Sequence, residues 1–360
     1  MADDQARKTS GDLNAKTYAS AYTTRTQTDT GKGEAVTESA EIVLEDLPLP
    51  PADPEYAELG GVAMAGKYGL KQSGKRPPLV EYGRQLWQRR HFITGYATAK
   101  NRSLYSNARL GQLWQLLTPI LNVAVYFFVF GFLFSQSKNV PDFLLFLVVG
   151  VFLFNFLQTA MINGARSISD QLVLIRALHF PRACLPISST IIQLQQLGFS
   201  MIIVVVVALA TGQPLSVEWL LIIPALLLQT VFCVGMALTV ARMGSVLTDT
   251  AQLLPFITRT WMYVSGVMYS ISSVTKGKGH AQIISDILYY DPPALFITVV
   301  RNCLIHVSPS SYATKAEYQS AVDAIHQPTY AWPALIAWAL LAGVGGFVYF
   351  WKAEEQYGRG

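Results

Sequence analysis

The sequence predicts an all-α integral membrane protein: six transmembrane helices, an interfacial amphipathic helix before the first, and external re-entrant helices between the fifth and sixth. Three observations predict it. Hydrophobic residues make up 51% of the 360 and charged residues only 14%, more apolar surface than one soluble domain hides. The charges cluster and leave uncharged runs near the roughly 20 residues that a hydrocarbon core requires. The connecting segments alternate between basic and non-basic, as the positive-inside rule demands of a multi-pass chain.

Residues 1–60 carry twelve acidic and five basic side chains among Thr, Ala and Gly, closing on Pro48, Pro50, Pro51 and Pro54. Such a stretch buries too little apolar area to offset its ordering entropy, so a disordered acidic tail with a basic linker is expected over 1–78. No apolar core follows a basic start there, so no signal peptide is expected.

Between Lys67 and Arg109 the sign reverses, with ten basic residues against one acid, Glu81. Leu86, Trp87, Ile93 and Tyr96 recur at rough helical spacing among Arg84, Arg89 and Arg90. This predicts an interfacial helix within 79–111 whose arginine stems snorkel to the headgroups. The same charges could serve a nucleic acid, but the membrane-length runs begin directly afterwards, so no nucleic-acid partner is expected.

The region 112–360 is expected to form the transmembrane domain, with helices at about 112–134, 143–164, 184–210, 218–241, 251–272 and 331–351. No Asp, Glu, Lys or Arg occurs from Leu110 to Ser137, from Phe143 to Ala165, or from Ala183 to Val217. Arg166, Arg176 and Arg182 follow the second run and Arg242 the fourth, whereas the intervening loops offer only Lys138. Both termini are therefore expected in the cytoplasm of a multi-pass inner-membrane protein. The stretch from 273 to 330 would then be external. Within it, the apolar run Ile283 to Ile305 is interrupted at Asp291-Pro292-Pro293, which suggests two short helices dipping into the outer leaflet.

Chemistry within the membrane requires ionisable or nucleophilic groups in the spans. His91, His179, His280, His306 and His326 all fall outside the six segments, and Arg259 is the single charge well inside one. An isolated arginine gives no acid–base pair, so no catalytic residue is expected. Facing lipid it would cost about 3 kcal/mol, which places it against a polar interior or a neighbouring helix. Cys184, Cys233 and Cys303 lie far apart with no metal-ligand spacing, so they read as small apolar packers and no metal site is expected. Gly69 to Arg76 matches a phosphate-binding loop up to its Gly-Lys, but Arg76 stands where a magnesium-binding hydroxyl belongs and Pro77-Pro78 follows. No cofactor is therefore expected on this chain.

Three stretches, in order, resemble one family. Arg102-Ser103 with Leu110-Gly111-Gln112-Leu113-Trp114-Gln115-Leu116-Leu117-Thr118-Pro119 is similar to the entry to the first span in permease subunits of type-2 ABC exporters of polysaccharides: those for O-antigen, teichoic acid and cell-wall galactan. Phe180-Pro181-Arg182, followed by Leu185-Pro186, resembles their signature before the third span. Asp249 through Gln252-Leu253-Leu254-Pro255 to Ser265-Gly266 and Tyr269, then Tyr290-Asp291-Pro292, resembles their fifth span and external helices. The likeness covers about 80–355. The sequence departs from the family at Thr248, where Arg is usual, at Ala183, where Glu is usual, and at Ser265-Gly266, where Ser-Pro is common.

The resemblance implies a homodimer with two copies of a separate ABC ATPase, which would hold ATP and magnesium. The substrate would be a lipid-linked polysaccharide, exported through a path bounded by membrane lipids. A coupling helix between Gly164 and Pro181 would dock on the ATPase, engaging Ser169, Asp170, Leu172, Leu174, Ile175, Arg176, Phe180 and Arg182. Ser167, Ser169 and Asp170 could cap it, and Leu172, Leu174, Ile175 and Leu178 could form its apolar face. Arg84, Arg89, Arg90, Arg102 and Trp114 would form a collar for the lipid-linked headgroup. Tyr126, Phe130, Arg259, Tyr263 and Tyr269 would line the path, aromatic faces packing on sugar rings. Two other readings stay open: a drug or small-lipid efflux permease, and an integral-membrane glycosyl or acyl transferase.

Overall fold

The computed structural model describes residues 76–106, 109–133, 140–178, 180–247, 249–272, 287–309, 312, 314–355 and 357. All lie in the second of the two units into which the chain divides, residues 72–360. The expected tail falls almost wholly outside them.

The described residues are helical, with no strand among them. The elements are α1 Leu79–Gln88, α2 Arg90–Leu104, α3 Trp114–Tyr126, α4 Phe143–Arg166, α5 Leu172–Ala177 and α6 Cys184–Ala210. After them come α7 Ile222–Val246, α8 Thr250–Val264, α9 Pro292–Leu304, α10 Lys315–Ala324 and α11 Ala331–Trp351. Five segments are long and apolar enough to cross a membrane: Trp114–Phe132, Phe143–Arg166, Cys184–Ala210, Val217–Val246 and Ala331–Trp351.

The amphipathic segment expected over 79–111 is two helices, not one. Tyr82 and Leu86 form the buried face of α1, and Ile93, Ala97 and Asn101 form that of α2. At Arg89 the backbone (φ −89°, ψ 8°) leaves the helical region, so each helix presents its own stripe inward.

The first membrane-length segment starts as α3, with Pro119 inside it, and continues as a π-helix over Phe127–Leu133. A Cβ on Gly131 would meet the Phe127 and Phe143 rings at 3.4 Å, ordinary contact, so the widened turn packs beside the start of α4 without requiring glycine. Of α3 itself only Gln115 and Val123 are buried, so most of its apolar surface is unpartnered within one chain.

Helix α4 is the axis of the bundle: α3, α6, α7, α8 and α9 pack around it, and seventeen of its 24 residues are buried. That explains its near-continuous apolar sequence, which lacks the one-sided stripe of a helix exposed to solvent. Helices α7 and α11 share a long face made possible by small residues. A Cβ on Gly235 would lie 2.1 Å from the Ala342 carbonyl oxygen, and one on Gly346 would lie 2.1 Å from the Gly235 carbonyl oxygen. Close backbone approach of this kind is how helices gain dispersion contact where lipid removes the hydrophobic incentive.

The segment expected to span 251–272 is shorter than expected. Helix α8 has 15 residues, roughly 22 Å at 1.5 Å per residue, and stops where Gly266 adopts the left-handed conformation (φ 63°). The expected break of 283–305 falls at Asp291, between helical residues 287–290 and α9. Pro292 and Pro293 begin α9: Asp291 caps it by accepting from the Ala294 amide at 3.3 Å, and both prolines stand where helical N–H groups have no partner. Eleven of the 13 residues of α9 are buried. The loop beyond it carries α10, capped by Thr314 on the Glu317 amide at 3.2 Å.

Candidate functional site

At one end of the bundle the chain's first and last described segments are joined to the middle. Tyr82 Oη donates to Glu354 Oε2 at 2.8 Å, and the Arg182 amide donates to Glu354 Oε1 at 3.0 Å. The Arg182 guanidinium donates to the Glu354 carbonyl oxygen, and Tyr82 Oη accepts from the Ala183 amide at 3.1 Å. Arg76 lies 4.1 Å from the Trp351 ring centroid, and Trp351 Nε1 donates to the Pro77 carbonyl at 2.9 Å. Burial raises the Glu354 carboxyl above the usual glutamate range, partly offset by the Arg182 amide, the Tyr82 hydroxyl and the Arg182 charge. Neither Tyr82 nor Glu354 stood out in the sequence. The one signal was an acidic pair, Glu354-Glu355, directly after the last apolar run.

On this platform lies the segment read as a coupling helix, a 3-10 turn Ser169–Gln171 followed by α5. The expected caps do not form: Ser167 Oγ donates back to the Gly164 carbonyl at 2.7 Å and Ser169 Oγ to the Arg166 carbonyl at 3.1 Å. The α5 start has no side-chain cap, because both hydroxyls are spent terminating α4. Ile175 is buried and Leu172 and Leu174 are half-buried against the cluster containing Tyr82, Leu86 and Ile93. The outward face is instead Val173, 84% exposed, with Leu178, Arg176, Ser169 and Asp170. Phe180 packs on Phe92 with ring centroids 5.5 Å apart.

Of the predicted collar, Arg84, Arg89, Arg90, Arg102 and Trp114 are exposed. Arg90 folds over the Trp87 ring at 5.3 Å and donates to its carbonyl. Arg102 borders a groove with Thr98, Asn101, Gln115 and Gln195. There Gln115 donates to Asn101 at 3.3 Å, Asn101 to Gln195 at 3.0 Å and Gln195 to Thr98 at 3.0 Å, an amide chain that ties α2 to α3 and α6.

The predicted path residues separate into two groups. Tyr126, Arg259 and Tyr263 come within electrostatic reach of one another on α3 and α8, with Arg259 and Tyr263 exposed. Phe130 is half-buried against the main core. Tyr269 donates to the Val264 carbonyl at 3.0 Å, closing the end of α8.

The buried charge that the sequence reading passed over is Arg301, 4% exposed. Its Nε donates to the Phe146 carbonyl at 2.9 Å, Nη1 to the Gly266 carbonyl at 3.0 Å and Nη2 to the Val267 carbonyl at 2.6 Å. The guanidinium carbon lies 3.2 Å from the Phe146 ring centroid. Two of these bonds hold carbonyls in the turn just after α8, near the negative pole of its dipole, and the third joins that turn to α4. An arginine within the apolar run Phe296 to Ile305 was the available signal. Cys184, Cys233 and Cys303 are free and buried.

The family model of the ABC-2 type transporter matches residues 97–305. The chain is 26% identical over 196 residues to the O-antigen export system permease protein RfbA of Myxococcus xanthus, covering 54% of this chain and 75% of that one. It is 21% identical over 203 residues to a permease of the same name from Klebsiella pneumoniae, covering 56% and 75%. It is 24% identical over 196 residues to another from Klebsiella pneumoniae, covering 54% and 72%. With well over half its length inside that family's model, and a helical bundle bearing the matched segments in order, the chain belongs to the ABC-2 type transporter family.

Proposed function

We propose that this chain is the permease subunit of an ABC exporter that moves lipid-linked polysaccharide across a bacterial inner membrane. The similarity of its membrane core to relatives named as O-antigen export permeases, over about three quarters of their length, carries the reading. ATP and magnesium would sit on a separate ATPase, present in two copies. It would dock on the outward face of residues 169–178, where an unpartnered Val173 and Leu178 flank Ser169 and Asp170. The Arg182–Glu354–Tyr82 contacts support that placement, because they tie the segment to α1 and to the end of α11, so a push is passed to the bundle instead of being absorbed locally.

In this reading α8 and the turn after it make a sixth, shortened passage, α9 re-enters from the external side, and both termini are cytoplasmic. The exposed faces of α3 and α8 with Tyr126, Arg259 and Tyr263 would meet a second copy and border the path. Depletion of the chain should trap lipid-linked polymer on the cytoplasmic side, detected in membranes by its lipid-released glycan. Unchanged surface polysaccharide after depletion would overturn the proposal, as would ATP hydrolysis by the purified chain alone.

A further inference from the structure

A cavity of about 290 Å³ opens between α2, the end of α4, the turn at 169–171 and the start of α6. Its polar lining comes from four elements: Lys100 and Tyr96, Asn163 and Arg166, Asp170, and Gln193. Gln193 is only 7% exposed, yet its side-chain amide takes part in no hydrogen bond among the described residues. The side chains of Lys100, Arg166 and Asn163 are likewise without a partner there. Gln193 lines the cavity, so its unpartnered amide is open to whatever occupies that space. An amide buried on the bundle side and turned to a cavity with two free cations is arranged for something that enters.

The lining specifies its chemistry. Two cations against one carboxylate suit phosphoryl oxygens, which take charge-assisted hydrogen bonds from Arg and Lys. The amides of Asn163 and Gln193 and the carboxylate of Asp170 supply both donors and acceptors, as sugar hydroxyls require and a bare phosphate does not. Tyr96, stacked on Phe92 at 5.9 Å between centroids, is held in place at the cavity edge as an apolar surface for a ring. The volume suits one headgroup and excludes a polymer. We propose that this cavity binds a phosphorylated sugar headgroup, at a place distinct from the exposed Arg84, Arg89 and Arg90. The inference rests on the export reading for its source, a lipid-linked glycan; a soluble sugar nucleotide carries the same chemistry. Arg166 and Asp170 flank the start of the 169–178 segment, so an occupant bridging them to α2 would hold that segment against the bundle.

The test uses the full chain in phosphatidylcholine nanodiscs and measures binding of three probes: farnesyl-pyrophosphoryl-N-acetylglucosamine, UDP-N-acetylglucosamine and inorganic pyrophosphate. Lys100→Gln with Arg166→Gln should weaken binding of a sugar probe at least tenfold, and Gln193→Leu several-fold, while Lys315→Ala on α10 leaves it unchanged. An unaltered size-exclusion profile and melting temperature establish that the variants fold. Binding of the lipid-linked probe alone identifies the exported substrate as occupant, and binding of the nucleotide alone identifies a soluble one. Equal affinity for pyrophosphate and both sugar probes, or wild-type affinity in the double variant, overturns the proposal. In cells, normal export by the double variant while depletion of the chain traps polymer overturns the pocket and spares the export reading. No trapping on depletion overturns the export reading itself.

Discussion

Arg301 and Glu354 are ionisable groups buried at opposite ends of the molecule, Arg301 bonded to three backbone carbonyls and Glu354 to the Arg182 amide and the Tyr82 hydroxyl. At Arg301 all three guanidinium nitrogens are engaged by carbonyls on α4 and after α8. Arg301→Lys should therefore fail to substitute, since one ammonium cannot reproduce the fork. We expect Arg301→Lys and Arg301→Ala each to destabilise by about 3 kcal/mol or more, read as a fall in the melting temperature of the detergent-solubilised protein. Retention of wild-type stability by Arg301→Lys would show that one bond suffices. Gly150→Ala should act in the same direction, because its Cβ would lie 2.3 Å from Arg301 Nη2.

For Glu354, burial raises the carboxyl in the folded chain, so the folded state holds its proton more tightly than the unfolded state. The resulting stability is fully present below the unfolded value and is lost as pH rises through the folded one. Glu354→Gln should flatten that decline in melting temperature between mildly acidic and neutral pH. Glu354→Ala should cost roughly 1–3 kcal/mol at any pH by leaving the Tyr82 hydroxyl and the Arg182 amide without their acceptor. A wild-type melting temperature independent of pH across that range would contradict the assignment.

At the scale of elements, the crossing of α7 on α11 depends on two glycines in backbone contact. Gly235→Leu should separate these helices and lower folded yield sharply, whereas Gly345→Ala on the same α11, with open space around its Cβ, should be neutral. Folded yield on size exclusion distinguishes the two. Four spans were legible nearly to the residue, because uncharged length and flanking charge are written in the sequence. The limits of α8 were not: uncharged residues run on through Ser265-Gly266, and the left-handed glycine, whose carbonyl Arg301 holds, ends the helix. The apolar side of residues 172–175 turns inward for a related reason. Leu172, Leu174 and Ile175 mark an apolar side, but periodicity cannot say whether that side faces a partner or the chain's own α1.

For the whole molecule, the proposed orientation makes a direct prediction. The native thiols are buried, so an impermeant maleimide applied to intact cells should label Lys315→Cys and spare Arg176→Cys; the reverse pattern would invert the topology. Class and family were settled by local composition and order along the chain, whereas of the six spans expected five are long enough to cross a membrane. Burial in lipid demands length and absence of charge, and both are properties of contiguous sequence. What the tertiary structure alone decided is which charges are spent internally. Arg301 and Glu354 look no different in sequence from Arg259 and Glu355. Only packing between segments more than 30 residues apart turns the first pair into internal clamps and leaves Arg259 on an open face.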